Sequence, residues 1–368
     1  MGIKKIIIYI ILKISNIFVS RFSIKQNQIA FVSLESNHLE SDLKIIYDGL
    51  KNKKDYDLKT VLINYNKKSL INNFLYMLNC IKQIYVINTS KLVLITDNNY
   101  VISNFKREGV TVVQVWHATG AIKKFGNAIK REYPIRNYDY VISNSDYWKE
   151  PYHEAFAVSK DHVITTGMPR VDHLNDDNYL NTTKQKLISK YPVLENKKII
   201  LYAPTFRGNI YQGFKAVDFD ATKVLNALGD DYVLIYKFHP LLLKAKLQDD
   251  KRIINLNHED THDLFTVSDM LISDFSSIIF DYSLLNKPMY FYVPDLDEYL
   301  KTLGCFVDYS QVMPGAICKN ETELIDAIKE NKSYDIKEFS QMFFKYQDGK
   351  NSERVIQLID QIMNDVVK

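Results

Sequence analysis

From residue 26 onward, short apolar runs alternate with longer stretches whose apolar positions recur every three or four residues. The runs "QIAFVSL" (28–34), "DLKTVLIN" (57–64), "KLVLIT" (91–96), "VTVVQVW" (110–116), "YDYVISN" (138–144) and "DHVITTG" (161–167) predict strands. Helical spacing fills residues 40–52 and 69–84 between them. Near-continuous apolar strands joined by crossover helices predict a doubly wound, mainly parallel sheet with both faces covered. The polar stretch "LNDDNYLNTTKQ" (174–185) interrupts the rhythm, which restarts at 197–204, 231–238, 252–256, 269–273 and 288–293. The pattern therefore predicts two similar α/β domains, 26–185 and 186–368, joined within 174–195, with a last helix over 351–366. Ligands of such sheets bind beyond the carboxyl ends of the strands, so two sheets facing each other would enclose a central cleft.

Residues 6–22, "IIIYIILKISNIFVSRF", follow a different pattern. Twelve of these seventeen residues are apolar, basic residues flank the segment, and no acid precedes Glu35. The longest apolar run is seven residues and Lys13 interrupts the segment, well short of the roughly 20 that cross a bilayer. No small-residue cleavage site follows, which disfavours a secretory signal. The reading is an amphipathic helix within 1–25 lying against an anionic membrane surface. A first helix packed on the protein's own core is the alternative.

Composition changes this picture little. At 368 residues, 46% hydrophobic and 25% charged, the chain is a folded protein of about two domains. A net charge of +3 does not argue for nucleic acid, and no nucleic-acid-binding signature is present. Three scattered cysteines, Cys80, Cys305 and Cys318, fit a reducing compartment rather than a disulfide framework or a zinc site. His258 and His262 in "NHEDTHD" have the i, i+4 spacing of a metal pair, yet the stretch reads as a loop entering a helix, and no metal or cofactor is expected. P-loop, GxSxG, HExxH and GxGxxG motifs are absent.

The chemistry concentrates at four strand ends. His117 follows "VVQVW", with Ala118, Thr119 and Gly120 leaving room for a substrate and Lys123 and Lys124 adding charge. "YAPTFRG" (202–208) brings Thr205 and Arg207, and "YKFHP" (236–240) brings Lys237 and His239. In "ISDFSSIIFDYS", Ser276 and Ser277 stand where a helix begins, a ready anion site, and Asp281 one turn on is a candidate for a sugar hydroxyl. Each has a plain structural alternative: N-capping by Asp274 or Ser276, a snorkelling Lys237, a surface ion pair for Arg207. Convergence in one domain favours a diphosphate clamp. A neutral His117 near its ordinary pKa of ~6.5 is then a base, and the simplest chemistry is transfer of a phosphorus-containing group from a nucleotide diphosphate to an alcohol.

At these residues the sequence resembles the CDP-glycerol glycerophosphotransferase family of teichoic acid synthesis. "WHATGAIKKFG", "YAPTFR", "YKFHP" and "SDFSSIIFDYSLLNKPMYFYVPDLDEY" occur in the family's order over residues 90–345. The resemblance implies a GT-B architecture, CDP-glycerol as donor, and peripheral attachment to the cytoplasmic face of the membrane. Residue by residue, His117 matches the family's loop base. Lys237 and His239 match its Arg/Lys-x-His-Pro motif, whose histidine engages donor phosphate and joins His117 as a catalytic candidate. Ser276 and Ser277 match its phosphate-binding serines, and Arg207 its "PTxR" arginine. "HATG" in place of the polymerases' "HGTP" resembles the priming branch, which adds the first glycerol phosphate to the N-acetylmannosamine of an undecaprenyl-diphosphate-linked disaccharide. Other teichoic acid enzymes are then candidate partners. The competing readings are a chain-extending glycerol- or ribitol-phosphate transferase, a GT-B glycosyltransferase, and a non-catalytic nucleotide-binding membrane scaffold.

Overall fold

A computed structural model describes residues 3–53, 55–64, 70–209, 213–238, 242, 247–332 and 334–366. The chain divides into two units. The first comprises Met1–Thr119, Phe125–Asp172 and Phe344–Lys368; the second comprises Gly120–Lys124 and His173–Phe343. The junction thus falls at 172/173 rather than 185/186, and the C-terminal segment returns to the first unit.

The first unit holds β1 (Lys25–Ser33), β2 (Asp57–Leu62), β3 (Ser90–Ile95), β4 (Thr111–Gln114), β5 (Tyr140–Ser143) and β6 (Val163–Thr165). They form one parallel sheet in the order β2-β1-β3-β4-β5-β6. β3 is buried at every position, as a central strand covered on both faces must be. One face is covered by the helices Ser41–Leu50 and Asn351–Met363, whose Leu43, Ile46, Val355 and Ile359 meet Phe31, Leu92 and Val113. Asp172 anchors the second of these helices by accepting from the backbone N–H groups of Asn351 and Ser352 and from the Ser352 hydroxyl. Gly167, at φ +77°, lies so close that an added Cβ would stand 2.0 Å from Asn351 Oδ1, so only glycine fits there.

The apolar N-terminal segment forms the helix Ile3–Val19. Leu12 and Val19 are buried, Tyr9 packs on Phe105 at 5.4 Å, and Asn16 accepts from Asn88 of the helix Leu70–Thr89 at 2.8 Å. The core-packed reading holds for one side of this helix; on the other, Ile6, Ile10, Ile14, Ile17 and Phe18 remain exposed. No helix among the described residues is long and apolar enough to cross a membrane.

The second unit repeats the plan with β7 (Lys198–Ala203), β10 (Tyr232–Tyr236), β11 (Ile253–Asn255), β12 (Met270–Ser273), β13 (Met289–Tyr292) and β14 (Gly315–Cys318), together with a hairpin of β8 (Arg207–Asn209) and β9 (Gly213–Lys215). The sheet order is β11-β10-β7-β12-β13-β14, all parallel. The polar stretch read as a linker is instead the helix Asp177–Lys190. Asp176 caps it by accepting from Asn178 N, and only Leu187 is buried along it, which explains why no apolar period announced it. Polar bonds hold it in place, Tyr179 to Asp263 at 2.6 Å and Lys190 to Glu259 at 2.5 Å.

Candidate active site

In each sheet the strand order reverses beside its first strand, between β1 and β3 and between β7 and β12. Loops leave a reversal in opposite directions there, and the crevice takes ligands. Both groups of predicted site residues fall beside these points.

In the first unit, the carboxyl ends of β1, β3 and β4 bring together Glu35, Thr96, Asp97 and His117. His117 Nδ1 lies 3.1 Å from the Thr96 carbonyl and 3.3 Å from a Glu35 carboxylate oxygen. Both are acceptors, so Nδ1 carries the hydrogen and Nε2 keeps its lone pair, with no described residue bonded to it. Dense packing pulls the imidazole pKa down to about 4, opposed by the Thr96 carbonyl and aided by the Arg170 guanidinium. The ring is thus neutral near pH 7, more firmly than the sequence alone implied. Its side chain is 43% exposed, so water still reaches it and tempers the shift.

The ring is aimed by a strained turn. Trp116 sits at φ +66°, a region bulky residues rarely adopt. The fully buried Gln114 amide accepts from Trp116 N at 2.8 Å and donates to the Asp97 carbonyl at 3.0 Å, tying the turn to the end of β3. Trp116 stacks on Phe125 at 4.6 Å and lies 3.8 Å from the His117 ring. Behind the loop, Arg170 donates to the His117 carbonyl at 2.7 Å while the buried Asp42 holds its guanidinium at 2.6 Å. Gln114, Asp42 and Arg170 escaped sequence reasoning because nothing in a single chain marks a buried polar residue as a loop brace.

In the second unit, β7 and β12 place Thr205 and Asp274 side by side. Asp274 accepts from Thr205 N at 2.9 Å, from its hydroxyl at 2.8 Å and from Arg207 at 2.9 Å. Arg207 also forms a fork with Asp295 at 2.5 and 3.0 Å and lies over the Tyr299 and Phe275 rings. Burial alone would lower the guanidinium pKa, but the Asp295 and Asp274 carboxylates outweigh it and raise it. Asp274 is therefore a brace and not a helix cap.

Lys237 donates to the carbonyls of Asn257 and Glu259 at 2.9 and 2.5 Å, an environment in which burial lowers its pKa despite the Asp260 and Glu259 charges. His239 lies outside the described residues. Ser276 and Ser277 are half-buried before the helix Ile278–Ser283; Ser277 is its N-cap residue with no side-chain cap bond, and Ser276 Oγ accepts from Ile278 N at 3.4 Å. Asp281 is 8% exposed and pairs with His262 at 2.9 Å, while His262 meets His173 at 3.0 Å. His258 instead faces Tyr191, so the i, i+4 histidines do not converge. Among the described residues no three or more His, Cys, Asp or Glu side chains form a group able to hold a metal ion.

A family model described as CDP-Glycerol:Poly(glycerophosphate) glycerophosphotransferase matches residues 14–361. The teichoic acid ribitol-phosphate primase of Bacillus spizizenii is 33% identical over 363 residues, 92% of either chain. The teichoic acid glycerol-phosphate primase of Bacillus subtilis is 32% identical over 302 residues, 77% of either chain. The solved wall teichoic acid polymerase TagF shares the fold, with a TM-score of 0.73 at 24% identity over 98% of this chain and 96% of that one. These findings agree with the four motifs at the strand ends: the chain belongs to the CDP-glycerol:poly(glycerophosphate) glycerophosphotransferase family and is an enzyme of that class.

Proposed function

We propose that the enzyme primes a teichoic acid: it moves glycerol phosphate from CDP-glycerol to the N-acetylmannosamine of an undecaprenyl-diphosphate-linked disaccharide and releases CMP. The observation that carries this reading is the His117 imidazole, with Nδ1–H engaged and Nε2 open, in a family of glycerophosphotransferases. The acceptor hydroxyl attacks the phosphorus that bears glycerol. The bond from that phosphorus to the bridging oxygen breaks, CMP leaves with that oxygen, and Nε2 takes the hydroxyl proton. The donor diphosphate is assigned to the second unit, at Ser276, Ser277 and the backbone N–H groups beside them, with Lys237 and the motif's His239 as further candidate contacts. Thr205 and Arg207, joined through Asp274, and Asp281 are the remaining candidates for donor contacts.

Two primases at 33% and 32% identity support the priming role. A second reading, ribitol phosphate as the transferred group, is favoured by the wider alignment with the ribitol-phosphate primase, 92% against 77% of the chain. The test offers CDP-glycerol and CDP-ribitol in parallel with a soluble analogue of the lipid-linked disaccharide and weighs the product. One added glycerol phosphate is the expected result. A ladder makes the enzyme a polymerase, and a ribitol increment changes the donor. No CMP release above a His117→Ala control ends the proposal.

The acceptor's lipid places the enzyme peripherally on the cytoplasmic membrane face, where other teichoic acid enzymes are candidate partners. Exposed Ile6, Ile10, Ile14, Ile17, Phe18 and Phe22 support this, joined by Ile71, Phe74, Leu75 and Leu78 of the helix Leu70–Thr89. Solvent-facing Lys13 and Arg21 lie close by in sequence, and exposed apolar side chains accompanied by cations suit an anionic bilayer. Replacing Ile10, Ile14 and Phe74 by serine should abolish sedimentation with anionic liposomes; undiminished sedimentation refutes this surface.

A further inference from the structure

We infer that Lys123 is the cation that meets the phosphate oxyanions of the nucleotide donor, an inference that rests on the donor reading above. Residues Gly120–Lys124 follow the His117 loop in sequence but belong to the second unit. They pair with a segment of that unit in strand fashion: Lys123 bridges Cys305 antiparallel, Phe306 N donates to the Ile122 carbonyl at 2.8 Å, and Lys124 N donates to the Gly304 carbonyl at 3.2 Å. Ala121 and Ile122 are buried. The backbone of Lys123 is thereby fixed on both sides, and the side chain projects from an anchored segment rather than from a loose loop.

Its ammonium lies 5.1 Å from the Tyr299 ring centroid and 5.8 Å from that of Phe206. The same Tyr299 ring receives the Arg207 guanidinium at 4.7 Å. The two cations differ in what they bond to. Arg207 has its N–H groups directed at Asp274, Asp295 and Thr205. Lys123 is half-buried and has aromatic faces, but among the described residues it has neither a carboxylate within 4.0 Å nor a hydrogen-bond acceptor. An ammonium withdrawn from water without an acceptor is unfavourable unless a ligand supplies one. Burial lowers the Lys123 pKa, opposed by the charge of Asp274, and so favours an incoming anion that restores its charged form. Asp274 also braces Thr205, so the ammonium stands in the field of the β7–β12 end, where the donor diphosphate is assigned. Snorkelling lysines are common on surfaces, but they keep the head in water.

Calorimetric titration of CDP-glycerol, CMP and phosphate-free cytidine into the full chain and into Lys123→Met and Lys123→Arg tests this. Lys123→Met should weaken CDP-glycerol about 10- to 100-fold, the loss of one charge-assisted contact, and leave cytidine and the melting temperature unchanged. Lys123→Arg should recover most of the affinity. Equal CDP-glycerol affinity in Lys123→Met and the parent overturns the inference while the donor reading stands. Parallel loss of cytidine also overturns it, by showing a damaged pocket instead of a lost phosphate contact. A parent chain that binds neither CDP-glycerol nor CDP-ribitol rejects the donor reading and the inference together.

Discussion

The two sheets end in polar clusters built on opposite principles. Around His117 every strong bond is directed at the frame of the loop, and the ring retains one open nitrogen: Nδ1 faces Thr96, Arg170 holds the His117 carbonyl, Gln114 holds Trp116. Around Arg207 the charged group itself is saturated, by Asp274 on one side and Asp295 on the other. A residue that reacts must keep a free valence, whereas a residue that shapes a pocket can use all of its own. The same catalogue of polar side chains therefore leaves an open ring nitrogen in one unit and a saturated brace in the other.

Separating activity from stability tests that contrast, and it carries the largest effects. His117→Ala should lower turnover about 10²- to 10⁴-fold and leave the denaturant midpoint in place, because an exposed ring with one backbone bond holds little together. Arg207→Ala should do the reverse in its first effect. It removes the cation shared by the carboxylates of Asp274 and Asp295, at about 3–5 kcal/mol of stability, read from the second unit's unfolding transition. An Arg207→Ala protein of undiminished stability that fails to bind CDP-glycerol would collapse the comparison and make Arg207 a ligand. Within the first cluster, Gln114→Leu leaves the Trp116 N–H and the Asp97 carbonyl without their partner. Turnover should fall about 10-fold with the donor KM unmoved, since the frame aims the base and does not touch the donor.

Much of this architecture was legible in the sequence because parallel strands buried on both faces have to be written as apolar runs. β3, "SKLVLI", has no exposed position and no polar alternation to hide it. The helix Asp177–Lys190 was not legible, since it is held by Asp176, Tyr179 and Lys190 through polar bonds that leave no period. The hairpin of β8 and β9 was not legible either, because each of its strands is only three residues long. The site was legible as motifs at strand ends, but not as bonding. Whether an arginine is open or already paired depends on Asp295, 88 residues away in sequence, which local pattern does not report. The return of Asn351–Met363 to the first sheet likewise depends on Asp172 and Gly167, neighbours only in the folded chain.

The finest distinction concerns two groups of the first cluster whose pKa values move in opposite senses. His117 is lowered to about 4, so between pH 4 and its ordinary 6.5 the unfolded chain binds more protons, and its contribution to stability rises with pH and is lost as pH falls. Asp97 is raised to about 7, first by burial and further by the Glu35 charge, with the Leu34 N–H opposing; Oδ1 is buried with no partner among the described residues. There the folded chain binds the extra proton. That stability is complete below 3.8 and drains as pH climbs through 7, at up to ~1.4 kcal/mol per pH unit. Over pH 4–6.5 the two slopes oppose each other, His117 the shallower because nearly half of its side chain meets water. Denaturant titrations across this window should find Asp97→Asn gaining stability with rising pH and His117→Ala losing it, with the parent between them. Parallel curves for the two variants would show that the two groups do not shift in opposite senses, and would return both to their ordinary pKa values.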